Sequence, residues 1–448
     1  MPEIKITQAL TFKFSSIHHH FFLLFWLILN LIQAAYTEVH NDESYYWIYT
    51  KQLDWGYYDH PPMVALVIKA GYQFLSNEVG LRIGNVMLMT LGLLFFLRSL
   101  PKALQHHPVV YLALLAVPFL NYLGYLVFPD GALVAFGAMF LFVYQRWLAG
   151  DSWRWTLLMG LLAAALLYTK YHAAIFFLCI VLSNLTLLGK RKFYVILIVG
   201  LVLYIPHIWW QVSHGFPSIK FHLVDRSSAF EWKYAWRFVG EQLLNVGPVL
   251  FIALFMKSRD DFERALVFLV RGFFFFFLFS SLRGIVHIQW TSLAWLPAIF
   301  LVASRWSERP KRKWWLVLIL LPYLLLTTLF RLVLLDIIPR EKIGPHYVQG
   351  QEEWYRALGK EVGDRTLVFH NDLKEPSAYE FYTGKPAMAL YPTGIKKSQY
   401  DLWQLESTLT GKSVVIASKD PFDGATEFSL GGRRRIYLKE SRIEEQVR

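Results

Sequence analysis

The chain has 448 residues, of which 55% are hydrophobic and only 17% charged, with a mean hydropathy of +0.35. Soluble domains carry about 25% charged residues, so the composition excludes soluble, fibrous and disordered classes and indicates a polytopic membrane protein. A single cysteine, Cys179, excludes an intrachain disulfide framework and a multi-cysteine metal site. The net charge of +12 does not point to nucleic acid, because 28 basic against 17 acidic residues fall in 1–336, between apolar segments. Positive-inside topology accounts for that excess.

The first apolar run is 18–36, preceded by Lys5 and Lys13. Its QAA triplet resembles a signal cleavage site, but an uncleaved span is expected, because the most informative motif follows within six residues. Further apolar runs lie near 80–98, 108–127, 131–149, 155–169, 171–188, 193–210, 242–256, 265–282, 286–304 and 314–336. These predict an all-α membrane region of about eleven spans, uncertain by two because several runs fall short of the roughly 20 residues of a straight crossing. Basic residues mark alternate connections: Arg98 and Lys102, Arg146 and Arg154, Lys190 to Lys192, Lys257 to Arg264, and Arg305 to Lys313. That alternation puts the N-terminus and every second loop in the cytoplasm. The loops 37–79, 128–130, 169–170, 211–241 and 283–287 then face outward. So does the region 337–448, where TLVFH, AMALY, SVVIAS and RRIYLKE read as strands, and PSAYEFYTG and QYDLWQLESTL as helices. The expected organisation is a membrane domain over 1–336 and a small soluble α/β domain over 337–448.

The outward loops hold the chemically unusual residues. The first contains Asp42, Glu43, Tyr45 and Tyr46, then Tyr58, Asp59 and His60. Adjacent carboxylates just outside a span suit a base or a cation site; alternatively they decorate a helix N-terminus. Asp130, in FPDG, is costly at that depth unless it has a partner, although it can also cap the next helix. Lys170 interrupts a long apolar stretch, where a lysine either snorkels to the interface or holds a phosphate. His214, Arg283, His287 and Trp290 complete the outward set. The sequence contains no P-loop, GxGxxG, GxSxG or HExxH.

An outward site has no access to cytosolic nucleotide sugars. A sugar donor there comes through the lipid, and a polyprenyl phosphate sugar fits, with its tail in the bilayer and its phosphate at the interface. Displacing phosphate from a sugar carbon needs a base for the acceptor proton and cations for the leaving group. Asp42, Glu43 and Asp130 suit the first need. Lys170, Tyr171 and Arg283 suit the second, with a divalent metal held by Asp42 and Asp130 as a further option.

The ordered motifs DESYYWIYTKQLDWGYYDHPPM, LRIGN, FPDGALVAF and TKYHA, followed by PHIWWQVSHGFPSIKFH and HIQWTSLAWLPA, resemble the bacterial dolichyl-phosphate-mannose-protein mannosyltransferase-like family. This is the GT-C group that includes the lipid A aminoarabinose transferases (glycosyltransferase families 39 and 83). The resemblance covers about 20–305. It implies a GT-C fold with membrane-lying amphipathic helices, Asp42 as leading catalytic carboxylate with Glu43 beside it, Asp130 as second acidic position and Lys170 near the donor phosphate. Trp210, Phe216 and Gln289 depart from the family's usual Asn, Trp and Asn. The expected activity is inverting transfer of a sugar from a polyprenyl phosphate, at the outer face of the cell (inner) membrane, to a lipid, glycan or protein. The rivals are a transporter or flippase of lipid-linked sugars, and a non-catalytic scaffold.

Overall fold

The computed structural model describes residues 3–222, 230–308, 313–338, 350–370, 372–390, 398–430 and 434–442. Asp225 and Arg226 of the expected 211–241 loop, and Arg309, Lys311 and Arg312 of the basic cluster, lie outside the described residues. The helices run α1 Glu3–Tyr36, α2 Asn41–Ile48, α3 Met63–Tyr72, α4 Glu78–Ser99, α5 Pro108–Leu115, α6 Pro118–Tyr125, α7 Pro129–Gly150, α8 Trp153–Thr169, α9 Ala173–Ser183 and α10 Arg191–Ser213. They continue as α11 Pro217–Lys220, α12 Trp232–Asn245, α13 Pro248–Leu254, α14 Asp261–Ser281, α15 Ser292–Ser307 and α16 Lys313–Leu334.

Every one of the eleven apolar runs falls on helix. Among the described residues, five helices are long and apolar enough to cross a membrane: the His19–Tyr36 part of α1, α4, α7, α10 and most of α16. Two bent pairs bring the number to seven if each counts as one span. The run 108–127 is one of these pairs, α5 and α6, turned by 76° where Pro118 starts the second helix. Proline has no N–H to continue the first helix but suits the first turn of the next. Close helix contact relies on small residues. A Cβ on Gly92 of α4 would lie 2.6 Å from the Ala135 Cα of α7, so only glycine lets these two backbones meet.

The first outer loop is itself structured as α2 and α3. Beyond the bundle come α17 Gln351–Val362, α18 Glu375–Thr383 and α19 Gln399–Leu402. The strands are β1 Thr366–His370, β2 Ala387–Leu390, β3 Ser413–Ser418, β4 Thr426–Ser429 and β5 Arg435–Arg442. They form one five-stranded sheet in the order β2-β1-β3-β5-β4. β1 is parallel to β2 and β3, and β5 is antiparallel to β3 and β4. The four expected strands are present; β4, short and mostly exposed, carries too little apolar pattern to be read from sequence.

One buried ion pair ties several helix ends of the bundle together. The Arg82 and Glu43 side chains are both 0% exposed. Arg82 Nε and Nη2 donate to Glu43 Oε1 and Oε2 at 2.9 and 2.6 Å. Its other three N–H groups reach the carbonyls of Ala34 (2.8 Å), Thr37 (2.5 Å) and Glu38 (2.8 Å). Glu43 also accepts the backbone N–H of His40 at 3.0 Å and of Val127 at 2.8 Å. The end of α1, helix α2, helix α4 and the turn into α7 therefore share one hub. Arg82→Ala should cost about 3–5 kcal/mol, the usual result of orphaning a buried charge. Arg82→Lys should recover little, because an ammonium offers three donors where five are used. Melting temperature and monodispersity in detergent check both.

Candidate active site

Helix α2 carries the leading acidic motif. His40 is its N-cap: its Nδ1 accepts the Asp42 N–H at 3.1 Å, while Glu43 reaches back to the His40 N–H, completing a capping box. Six of the eight α2 residues are buried, Glu43 through Ile48. The Asp42 side chain keeps 26% exposure. Lys374, just before α18, places Nζ 2.5 Å from Asp42 Oδ1. Burial pushes the Asp42 carboxyl up, but the Lys374 ammonium, the largest of the opposing causes, more than offsets this and holds it below its usual range. Burial pushes the His40 imidazole down, in keeping with its role as a neutral acceptor.

The second acidic position lies at the start of α7. Asp130 follows Pro129, and its carboxylate does not cap the helix. It accepts from Lys170 Nζ at 2.8 and 2.9 Å instead, with both side chains buried. Lys170 thus turns inward rather than snorkelling outward, and lies 5.9 Å from the ring centre of Trp290. Trp290 packs against His287 at 5.6 Å, and His287 acts electrostatically on Asp42. Tyr46 packs on Phe128 at 6.3 Å, two residues before Asp130. Burial, together with Asp42, Asp59 and Asp130, pushes its phenol well above the ordinary range, so all three carboxylates are within electrostatic reach of it. Its hydroxyl is 3.3 Å from His60 Nε2. Asp59 accepts from the Tyr49 hydroxyl at 2.5 Å, and burial pushes its carboxyl up.

Asp42, Asp130, Lys170, Tyr46, Asp59, His60, His287 and Trp290 are therefore brought together. Other expected residues are placed elsewhere. Glu43, expected to be catalytic, is a buried anchor whose two oxygens are occupied by Arg82, His40 and Val127. Of the two tyrosines expected in the pocket, Tyr45 faces the C-terminal region, whereas Tyr58 meets it through its backbone N–H and packs its ring on Phe221 at 5.6 Å. The Gln399 N–H donates to the Tyr45 hydroxyl at 3.0 Å, and the Tyr58 N–H to Gln399 Oε1 at 2.7 Å. His214 stacks on Trp210 at 4.5 Å, beside the turn where Trp210 Nε1 donates to Asp54 Oδ2 at 2.8 Å. That turn needs Gly56, because a Cβ there would lie 2.3 Å from the Trp210 ring. Trp210 thus has a structural task of its own at a position where the resembling family has asparagine.

Tyr171, expected at the phosphate, belongs to a relay. Gln211 Nε2 donates to the Tyr171 hydroxyl (2.8 Å), which lies 3.1 Å from His207 Nε2, while His207 Nδ1 meets the Trp55 carbonyl at 2.6 Å. The carbonyl only accepts, which assigns the His207 proton to Nδ1 and makes the Tyr171 hydroxyl the donor to Nε2. Arg283 is exposed just past α14; the contact from this connection to Lys170 comes from Trp290.

Among the described residues, no group of three or more His, Cys, Asp or Glu is arranged to hold a metal ion. Asp42 and Asp130, the proposed ligands, each face a lysine instead, so these residues do not fit a metal. Two functional residues escaped sequence reasoning. Arg82 left a signal, a charge inside the apolar run 80–98. Lys374 left none, because nothing in its neighbourhood distinguishes it from an ordinary surface lysine.

Residues 59–210 match the family model described as dolichyl-phosphate-mannose-protein mannosyltransferase. A lipid A galacturonosyltransferase, RgtD of Rhizobium johnstonii, is 25% identical over 440 residues, covering 90% of each chain. The crystal structure of ArnT from Cupriavidus metallidurans in the apo state superposes with a TM-score of 0.67 at 13% identity, covering 93% of this chain and 97% of that one. The same protein bound to undecaprenyl phosphate gives 0.68 at 14% identity, with the same coverage. The chain therefore has the ArnT fold.

The two first-loop aspartates should respond oppositely to pH. Asp42 is depressed, so its contribution to stability is present above its ordinary value of 3.8 and lost as pH falls through its lower folded value. Asp59 is raised, so ionising it opposes folding, and stability should grow as pH falls through its folded value. Thermal melts of Asp42→Asn and Asp59→Asn against wild type at pH 7 and pH 4 check this. The first should be the less stable at pH 7, whereas the second should match or exceed wild type there.

Proposed function

We propose that this chain, a membrane glycosyltransferase of the GT-C fold, transfers a sugar from a polyprenyl phosphate to a lipid A-type acceptor at the extracytoplasmic face. The observation that carries this reading is the pairing at the site: a partly exposed Asp42 on Lys374 and a buried Asp130–Lys170 pair, joined through Phe128, on whose ring both His40 and Tyr46 pack. In the reaction the acceptor hydroxyl oxygen attacks the anomeric carbon from the side opposite the phosphate. The carbon–oxygen bond to phosphate breaks with inversion, and the acceptor proton passes to Asp42. The leaving phosphate gains charge as that bond breaks. Lys170, positioned by Asp130, supplies positive charge where it is needed.

Two likenesses support the substrates. A relative aligned over nine-tenths of its length is a lipid A galacturonosyltransferase, and a structure of the same fold holds undecaprenyl phosphate. The outward placement is supported by the helix ends. Arg98, Arg146, Arg154, Lys190 and Arg305 lie at one end of α4, α7, α8, α10 and α15, while Arg82, Asp130, Lys170, His214 and Trp290 lie at or near the other. Basic residues favour the cytoplasmic side, which leaves the carboxylates outside. Reporter fusions after Lys190 and at Gly411 should read opposite sides; the same side for both would separate the site from the outer leaflet.

The decisive assay is purified protein with polyprenyl-phosphate galacturonic acid and lipid A. Release of polyprenyl phosphate that depends on lipid A supports the reading, whereas an intact donor moved across vesicles would favour transport. Asp42→Asn should lower turnover by about 10²–10⁴, the usual cost of losing a general base. Lys170→Ala should slow the reaction and also destabilise the protein, because Asp130 is left buried without its cation. Normal turnover in folded Asp42→Asn would move the base elsewhere.

A further inference from the structure

Lys374 comes from the C-terminal region, yet its ammonium sits on the carboxylate of the first outer loop. Its backbone is fixed by Asp372, whose Oδ1 accepts the N–H of Lys374 at 2.9 Å and of Glu375 at 3.1 Å. The acids on either side are already engaged. Asp372 Oδ2 meets Lys419 Nζ at 2.5 Å. Glu375 accepts from the Tyr355 hydroxyl at 2.8 Å and pairs with Arg434 and, at 3.4 Å, with Lys419. Asp42 is therefore the carboxylate left to Lys374.

Helix α18 is clamped onto α2 at several other points. The Ser44 and Ser377 hydroxyls are 3.0 Å apart, and the Val39 N–H donates to the Tyr382 hydroxyl at 2.7 Å. Lys51 pairs with Glu380 at 2.5 Å, and the Trp47 and Phe381 rings meet at 5.3 Å. The docking thus does not depend on the Lys374 contact.

The groups acting on Asp42 come from every side: His40 from its own cap, Lys374 from α18, His287 from the connection before α15, Asp59 from the first loop, Tyr46 from α2 and Tyr122 from α6. His40 uses Nδ1 to accept a backbone N–H, so it cannot also be the cation at that carboxylate. His287 acts on it more weakly than Lys374, whose Nζ lies 2.5 Å from Asp42 Oδ1.

We infer that Lys374 is a positioning residue that orients Asp42 and keeps it ionised, so that the C-terminal region completes the active site. Its catalytic part rests on the transferase reading above. The docked region then has a task in the reaction as well as in packing: a chain in which α18 is displaced carries a misplaced base.

The experiment uses the full chain in lipid nanodiscs, as wild type, Asp42→Asn, Lys374→Gln and Lys374→Arg. Infrared titration follows the carboxyl band that disappears in Asp42→Asn and needs no substrate. In Lys374→Gln its midpoint should rise by about one pH unit, the low end for losing an opposite charge at this distance because the site is partly hydrated. Lys374→Arg should restore it. The pH–rate profile, with polyprenyl-phosphate galacturonic acid and lipid A, should show the acid limb moving upward by the same amount, a roughly tenfold loss on that limb. An unmoved band in folded Lys374→Gln overturns the inference. So does a rate lowered equally at every pH, which would leave Lys374 a docking contact only. If the band moves but wild type does not turn over these substrates, the pairing stands and the substrate reading fails.

Discussion

The buried pair between Arg82 and Glu43 is the constraint on which the rest of the outer surface depends. An isolated charge in that environment is prohibitively costly, and even a pair is tolerated only when every remaining donor and acceptor is satisfied. Here the guanidinium spends five hydrogen bonds and the carboxylate accepts four. The partners are carbonyls at the end of α1 and N–H groups ahead of α2 and α7. Because the hub accepts only one arrangement of these segments, it fixes the entry of α2 and the turn that leads to Asp130. Asp42 is the residue next to Glu43, and Asp130 lies three positions after Val127. Asp42 and the Asp130–Lys170 pair thus lie only one and three steps along the chain from residues of the hub.

A second theme is how the site accommodates carboxylates that have little water. Asp42 and Asp130 each have a lysine from a distant segment, whereas Asp59 accepts from the Tyr49 hydroxyl and lies 3.8 Å from His60 Nε2. The physical consequence is divergence: the Lys374 ammonium lowers Asp42, while burial raises Asp59. Chemically similar groups on one short loop thereby acquire different properties, which is how a site separates a standing base from a group that prefers its proton. Aromatic rings fill the space around them. His40 packs on Phe128 at 5.4 Å and Tyr46 on the same ring at 6.3 Å.

The sequence by itself determined the class of protein and singled out the charged residues that later prove to be paired across the fold. Apolar runs must be helices in lipid, because only internal hydrogen bonds satisfy the backbone there; all eleven runs are helices. The acidic residues stood out because charge is rare beside such runs, and Asp42, Asp130 and Lys170 were legible for that reason. Strand patterns in the C-terminal region were legible where a short apolar run is largely buried, as in β3, and not in the exposed β4. What only the tertiary structure decided was the division of labour among the charges. Glu43 and Asp42 are neighbours of the same type, and no local pattern says that one faces Arg82 in the interior while the other faces an opening. Lys170 could have snorkelled; a carboxylate forty positions earlier in the chain pulls it inward instead. Lys374 gains its place from the docking of α18 on α2, a contact between segments more than three hundred residues apart. Helix formation follows from local periodicity and solvent, which a sequence records directly, whereas the breaks within apolar runs, which reduce the number of crossing helices, show only in the fold. Charge partnership follows from distances between segments remote in the chain, and those exist only once the bundle has packed.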